Sequence, residues 1–171
     1  MVFYLRHTQV ENPQNLCYGQ TSIPLAKTYP QEIEKIRAKL QGIGVTQVIS
    51  SPARRCQKLG KDLFPTIPLK IDSRVWELDF GSWEQTPWSE IEKSELDHWG
   101  KDWINHAPPG GEPYSTLIER VRRFHDEYQS SKSTLVVSHS GVLRTIRCIK
   151  DNQPFSTAFN SPMEYGALIE F

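Results

Sequence analysis

The chain has 171 residues, a length that buries a proper core in one domain without disulfide or metal staples. Lys plus Arg and Asp plus Glu both number 20, so the net charge is zero, which argues against a nucleic-acid binder or a polybasic membrane-surface protein. No apolar run approaches membrane-spanning length and no basic region precedes a long apolar stretch, so a cytoplasmic protein is expected. Cys17, Cys56 and Cys148 are an odd number at spacings unlike a zinc motif and read as reduced thiols.

In chain order, Val2-Phe3-Tyr4-Leu5 is a short apolar run of the kind that forms a buried strand, and it ends at Arg6-His7. Residues 8 to 28 read as a long surface segment that borders a site, too polar for core. Pro30 to Leu40 carries Ile33, Ile36 and Leu40 at helical spacing, acidic residues early and basic ones late, with Gly42 and Gly44 beyond. Val45 to Ile49 predicts a second strand, and Pro52 a helix start with Arg55 in the first turn. Leu69 to Ile71 predicts a third strand. Residues 76 to 113, rich in Trp, Pro and Gly, are less regular, with a helix expected over 88 to 99.

Ser115 to Tyr128 repeats Leu117, Val121, Phe124 and Tyr128 on one helical face, while Arg120, Arg122 and Arg123 read as its solvated side. Thr134 to Val137 is the clearest strand, followed by Ser138-His139-Ser140-Gly141 and a helix from Val142 to about Ile149. Tyr165 to Phe171 predicts a closing strand. Strands alternating with helices imply an α/β three-layer sandwich, its mostly parallel central sheet covered by helices on both faces.

Carboxyl ends of parallel strands share one edge of a sheet, so Arg6, His7, Arg55, Glu77 and His139 are expected to converge there. The set suits phosphoryl transfer. Guanidinium groups clamp a phosphate dianion, and neighbouring cations keep a histidine neutral and nucleophilic. A carboxylic acid protonates a leaving oxygen and then activates water. A second histidine stabilises the equatorial oxygens of the transition state. Arg54 reads as solvated, Cys17 as a small packing residue, and the aromatic residues around 76 to 103 as core and lid packing. His98, His106 and His125 receive no role.

These elements resemble the histidine phosphatase superfamily, the phosphoglycerate mutase-like fold, over most of the chain. Its opening Arg-His-Gly appears as Arg6-His7-Thr8 and its Ser-x-x-x-Arg as Ser51-Pro52-Ala53-Arg54-Arg55. Glu77-Leu78-Asp79-Phe80-Gly81, Val136-Val137-Ser138-His139-Ser140-Gly141 and Pro108-Pro109-Gly110-Gly111-Glu112 match three further elements. The resemblance implies a phosphohistidine on His7, a phosphate held by Arg6, Arg55 and His139, Glu77 as acid and then base, and no metal or other cofactor. Its partner would be a small-molecule phosphate ester, with no role for nucleic acid or membrane.

Cys17 to Leu25 and Trp76 to Glu84, with Pro87-Trp88, are similar to α-ribazole phosphatases, which act on a nucleotide-like cobalamin precursor. Thr8 and Gln9 replace the common Gly-Glu, and the tail beyond His139 is short, leaving little material for a C-terminal lid. The alternatives are a phosphoglycerate mutase-type transferase and a silent phospholigand-binding protein on the same fold.

Overall fold

The computed structural model describes residues 1–129 and 132–171. Five strands form one sheet in the order β3-β2-β4-β1-β5. They are β1 (Val2–Arg6), β2 (Gln47–Ser50), β3 (Leu69–Ile71), β4 (Thr134–Ser138) and β5 (Leu168–Glu170). The first four run parallel, and β5 pairs antiparallel with β1. Five helices complete the fold: α1 (Tyr29–Leu40), α2 (Arg54–Leu63), α3 (Lys93–Lys101), α4 (Tyr114–Tyr128) and α5 (Ser140–Lys150).

The period-two alternation of β1 explains its burial on both faces. Phe3 and Leu5, with Leu135 and Val137 of β4, pack with Ile33, Ile36 and Leu40 of α1 and Leu59 of α2. Val2 and Tyr4 join Val136 of β4 in a second core with Leu117, Val121 and Phe124 of α4 and Leu143 and Ile146 of α5. Helices therefore cover both faces of a mainly parallel sheet, as the alternation of elements predicts. Among the described residues no helix is long and apolar enough to cross a membrane.

The helix predicted over 88 to 99 instead starts at Lys93, behind a 3-10 turn at Trp88–Glu90. Trp88 and Ile91 pack into an aromatic cluster with Trp83 and Trp99, and that tertiary demand overrides the helical pattern. The helix expected from Val142 begins two residues earlier, at Ser140, with His139 as its extended N-cap. The segment from 8 to 28 is not wholly superficial: Thr8 and Cys17 are fully buried and Val10 nearly so. Bridges Val10–Leu25 and Leu16–Pro87 fold it back on itself and onto the tryptophan-rich region.

Register brings the strand ends together. Arg6 pairs with Ser138 across β1 and β4, and the His7 amide donates to the Ser138 carbonyl at 3.0 Å. The Ser51 amide donates to the Val137 carbonyl at 3.0 Å, bringing the end of β2 to the other side of β4.

Candidate active site

His7 is 2% exposed, and its ring lies 5.3 Å, centroid to centroid, from that of His139. Its Nδ1 sits 2.7 Å from the Thr8 carbonyl oxygen, which only accepts, so the proton is on Nδ1. Nε2 thus carries the lone pair, and Arg55 Nε donates to it at 3.2 Å. The same logic fixes His139: Arg55 Nη2 donates to its Nδ1 at 3.3 Å, leaving Nε2–H to donate to Ser51 Oγ at 2.6 Å. Both histidines are held well below the usual imidazole range, first by burial and then by the Arg55 cation.

A stability dependence follows. In the unfolded chain these rings take up protons near pH 6.5, whereas in the fold they stay neutral, so acid favours unfolding. The stabilisation is complete above about pH 6.5 and is lost progressively below it. Thermal melting at pH 7.5 and 5.5 is expected to give the lower midpoint at 5.5. An equal or higher midpoint at pH 5.5 would mean that the rings are charged in the fold. This window lies above the carboxylate range, so acidic residues do not mimic it.

Arg55, in the first turn of α2, is 3% exposed and also donates to the carbonyls of Gly19 at 2.6 Å and Thr21 at 3.1 Å. Arg6, half-buried, donates through Nη1 to the Met163 carbonyl and stacks on the Tyr165 ring at 3.9 Å. Its Nε is buried with no hydrogen-bond partner among the described residues, a donor an anion would satisfy.

Glu77 reaches the first turn of α5, where Oε2 accepts from the Gly141 amide at 3.1 Å and Oε1 from its neighbour Leu78 at 3.0 Å. Residues Arg6, His7, Glu77, Ser140 and Gly141 border one cavity of about 220 Å³. Arg55 and His139 are not among the residues that border it but adjoin His7, Arg55 through its Nε and His139 ring to ring. Arg54 is exposed, as expected, and Cys17 is a buried thiol pushed up to about 12 by burial and then by Glu84.

Sequence reasoning missed three features. Arg120 is not on a solvated face. Its guanidinium donates to the carbonyls of Arg74 (2.9 Å), Trp76 (2.6 Å) and Glu77 (3.0 Å) and pairs with Glu112 at 2.5 Å. It thereby fixes the backbone that carries Glu77. Glu84 likewise accepts from the amides of Gln20 (2.9 Å) and Thr21 (2.7 Å), holding the segment that receives Arg55. The short tail does reach the site: Phe159 borders the cavity, Met163 receives Arg6, and the Tyr165 hydroxyl meets that of Tyr18 at 2.8 Å.

The aromatic residues divide. Trp83 and Trp99 pack together at 5.7 Å between centroids, while Phe80 and Trp88 also line the cavity. His98 and His106 stack on each other away from the cavity, and His125 is buried against the Tyr4 hydroxyl.

A mostly parallel α/β sheet of this order, with two histidines at neighbouring strand ends, has the phosphoglycerate mutase-like architecture. The chain belongs to the histidine phosphatase superfamily (branch 1), whose family model matches residues 2–171. It is similar to the adenosylcobalamin/alpha-ribazole phosphatase of Escherichia coli K12, 26% identical over 151 residues, covering 83% of this chain and 74% of that protein. Among solved structures, the alpha-ribazole phosphatase of Shigella flexneri superposes with a TM-score of 0.87 at 24% identity, covering 98% of this chain and 87% of that one. A mycobacterial glucosyl-3-phosphoglycerate phosphatase superposes with a TM-score of 0.82 at 18% identity, over 98% and 87% of the two chains. Likeness at these identities to both structures establishes the shared fold.

Proposed function

We propose that this protein hydrolyses a small phosphate monoester through a phosphohistidine on His7, with α-ribazole 5′-phosphate the favoured substrate. The observation that carries the reading is the hydrogen bond from His7 Nδ1 to the Thr8 carbonyl, which orients a neutral ring with its lone pair on Nε2. Nε2 attacks phosphorus, the bond from phosphorus to the ester oxygen breaks, and Glu77 gives its proton to that oxygen. Each carboxylate oxygen of Glu77 accepts one backbone bond and keeps a second lone-pair position for that proton. Glu77, now a carboxylate, takes a proton from water as the water attacks phosphorus. The P–N bond breaks, and neutral His7 and inorganic phosphate result.

Arg6 and Arg55 supply charge to the phosphoryl oxygens, Arg55 by turning from the carbonyls and rings that it contacts. The dianion also favours a proton on His139 Nδ1, making that ring a donor to the transferred group. Among the described residues bordering the cavity, Arg6 is the one arginine or lysine and Glu77 the one carboxyl group, and the rest of the wall includes Leu78, Phe80, Trp88, Tyr114 and Phe159. Such a wall suits an uncharged leaving group better than the carboxylate of a phosphoglycerate.

The test is phosphate release from α-ribazole 5′-phosphate, 3-phosphoglycerate and an aryl phosphate. Release from the first at a kcat/KM at least about ten-fold above the other two supports the reading. Weak, even release keeps the chemistry but removes the substrate. Phosphate binding without release from any ester would replace the enzyme by a silent binding protein.

A further inference from the structure

Beyond the reacting groups, the cavity is bordered by an aromatic ring that the fold leaves open. Among the described residues three large apolar side chains are exposed: Met1, Ile71 and Phe159. Only Phe159, at 52%, borders the cavity that holds His7 and Glu77. It lies between α5 and β5, with Trp103 at 4.9 Å and Tyr114 at 5.6 Å between ring centroids.

The segment around it is tied down. Arg144 of α5 donates through Nη1 to the carbonyls of Ala158 at 2.8 Å and Ser161 at 2.7 Å. Its guanidinium carbon lies 4.7 Å from the centre of the Phe159 ring, and its Nε donates to Ser140 Oγ at 3.0 Å. Arg147 holds Ser161 Oγ at 2.7 Å, and Arg6 holds the Met163 carbonyl. An exposed aromatic ring on an anchored backbone is a prepared contact surface, since little conformational freedom remains to be lost on binding.

We infer that Phe159 is a specificity-determining residue: it is the platform for a flat, uncharged ring on the leaving group, and Arg144 is its positioning residue. The inference rests on the phosphatase reading, because a phosphoryl group at His7 directs the leaving group past Glu77 into the rest of this cavity. A second charge there would give up hydration, and the Arg144 cation beside Phe159 is already engaged by the Ala158 and Ser161 carbonyls, whereas a planar apolar ring stacks on Phe159 and covers its exposed surface.

The experiment compares Phe159→Ala with the unaltered protein on two esters of the same ribose 5-hydroxyl, α-ribazole 5′-phosphate and ribose 5-phosphate. Leaving-group chemistry is then constant and only the ring differs. The expected result is a loss of about 10- to 30-fold in kcat/KM on the ring-bearing ester, through KM, and less than about two-fold on ribose 5-phosphate. Phe159→Tyr, which keeps the ring, is expected to restore the preference, and Arg144→Met to weaken it selectively.

Equal losses on both esters would reduce Phe159 to a structural role, and no loss on either would remove it from the site. If the unaltered protein hydrolyses neither ester, the phosphatase reading fails, yet calorimetry with the phosphate-free riboside still decides the platform. Binding that weakens at least about ten-fold in Phe159→Ala supports it, and absence of binding to the unaltered protein overturns it.

Discussion

Replacing His7 by alanine is expected to lower turnover by at least about 10⁴-fold while leaving the fold in place. His7 is the one imidazole that borders the cavity among the described residues, and its Nε2 lone pair is set by the Thr8 carbonyl. His139 is no substitute, being fully buried outside the cavity wall with Nε2 committed to Ser51 and Nδ1 to Arg55. The substitution strips one partner from Arg55, but that guanidinium keeps the carbonyls of Gly19 and Thr21, so α2 and the 19–21 segment stay joined. The melting midpoint therefore drops only modestly. Rapid quenching with a phosphate-labelled ester supplies the independent readout. The unaltered protein should retain label as an acid-labile, alkali-stable phosphoramidate, and His7→Ala should retain none. Residual activity within about ten-fold of the parent, or label persisting in the variant, would falsify the assignment of His7 as nucleophile.

The gathering of the proposed site residues was legible because parallel-sheet geometry brings strand ends to one edge. Arg6 ends β1, while His7, Arg55, Glu77 and His139 each follow a strand, directly or after a few residues, and register does the rest. The residues that support them were not legible, and the physical reason differs in each case. Arg120, Arg122 and Arg123 share one helix and one chemical type, and periodicity does not say which of them meets free carbonyls. Arg123 pairs with Glu119 with both side chains more than two-thirds exposed, whereas the Arg120 side chain is only 13% exposed. The tail has no periodicity at all. The placement of Phe159, Met163 and Tyr165 comes from where α5 ends and from the grip of Arg144 and Arg147, both tertiary facts. Thr8 and Cys17 are buried in a segment whose polarity suggests surface, because that segment is clasped between the site and the tryptophan cluster.

Gly141→Ala is expected to separate activity from stability. Gly141 lies inside the first turn of α5, where its φ is unexceptional and alanine is the better helix former by about 1 kcal/mol. Helix propensity alone therefore predicts a slightly more stable protein. A Cβ at this position would, however, stand 2.3 Å from Glu77 Oε1. The carboxylate has to leave, giving up the Gly141 amide that fixes it at 3.1 Å. Catalysis by a displaced acid should fall about 10²- to 10³-fold on alkyl esters, whose alkoxide needs the proton. Aryl phosphates, with better leaving groups, should lose far less. Glu77→Gln is expected to show the same contrast, since it removes the proton without moving the backbone. The double variant Glu77→Gln with Gly141→Ala should then be little worse than either alone, because both changes abolish one and the same function. Multiplicative losses, or equal losses on alkyl and aryl esters, would show that Gly141 serves something other than the seat of the Glu77 carboxylate.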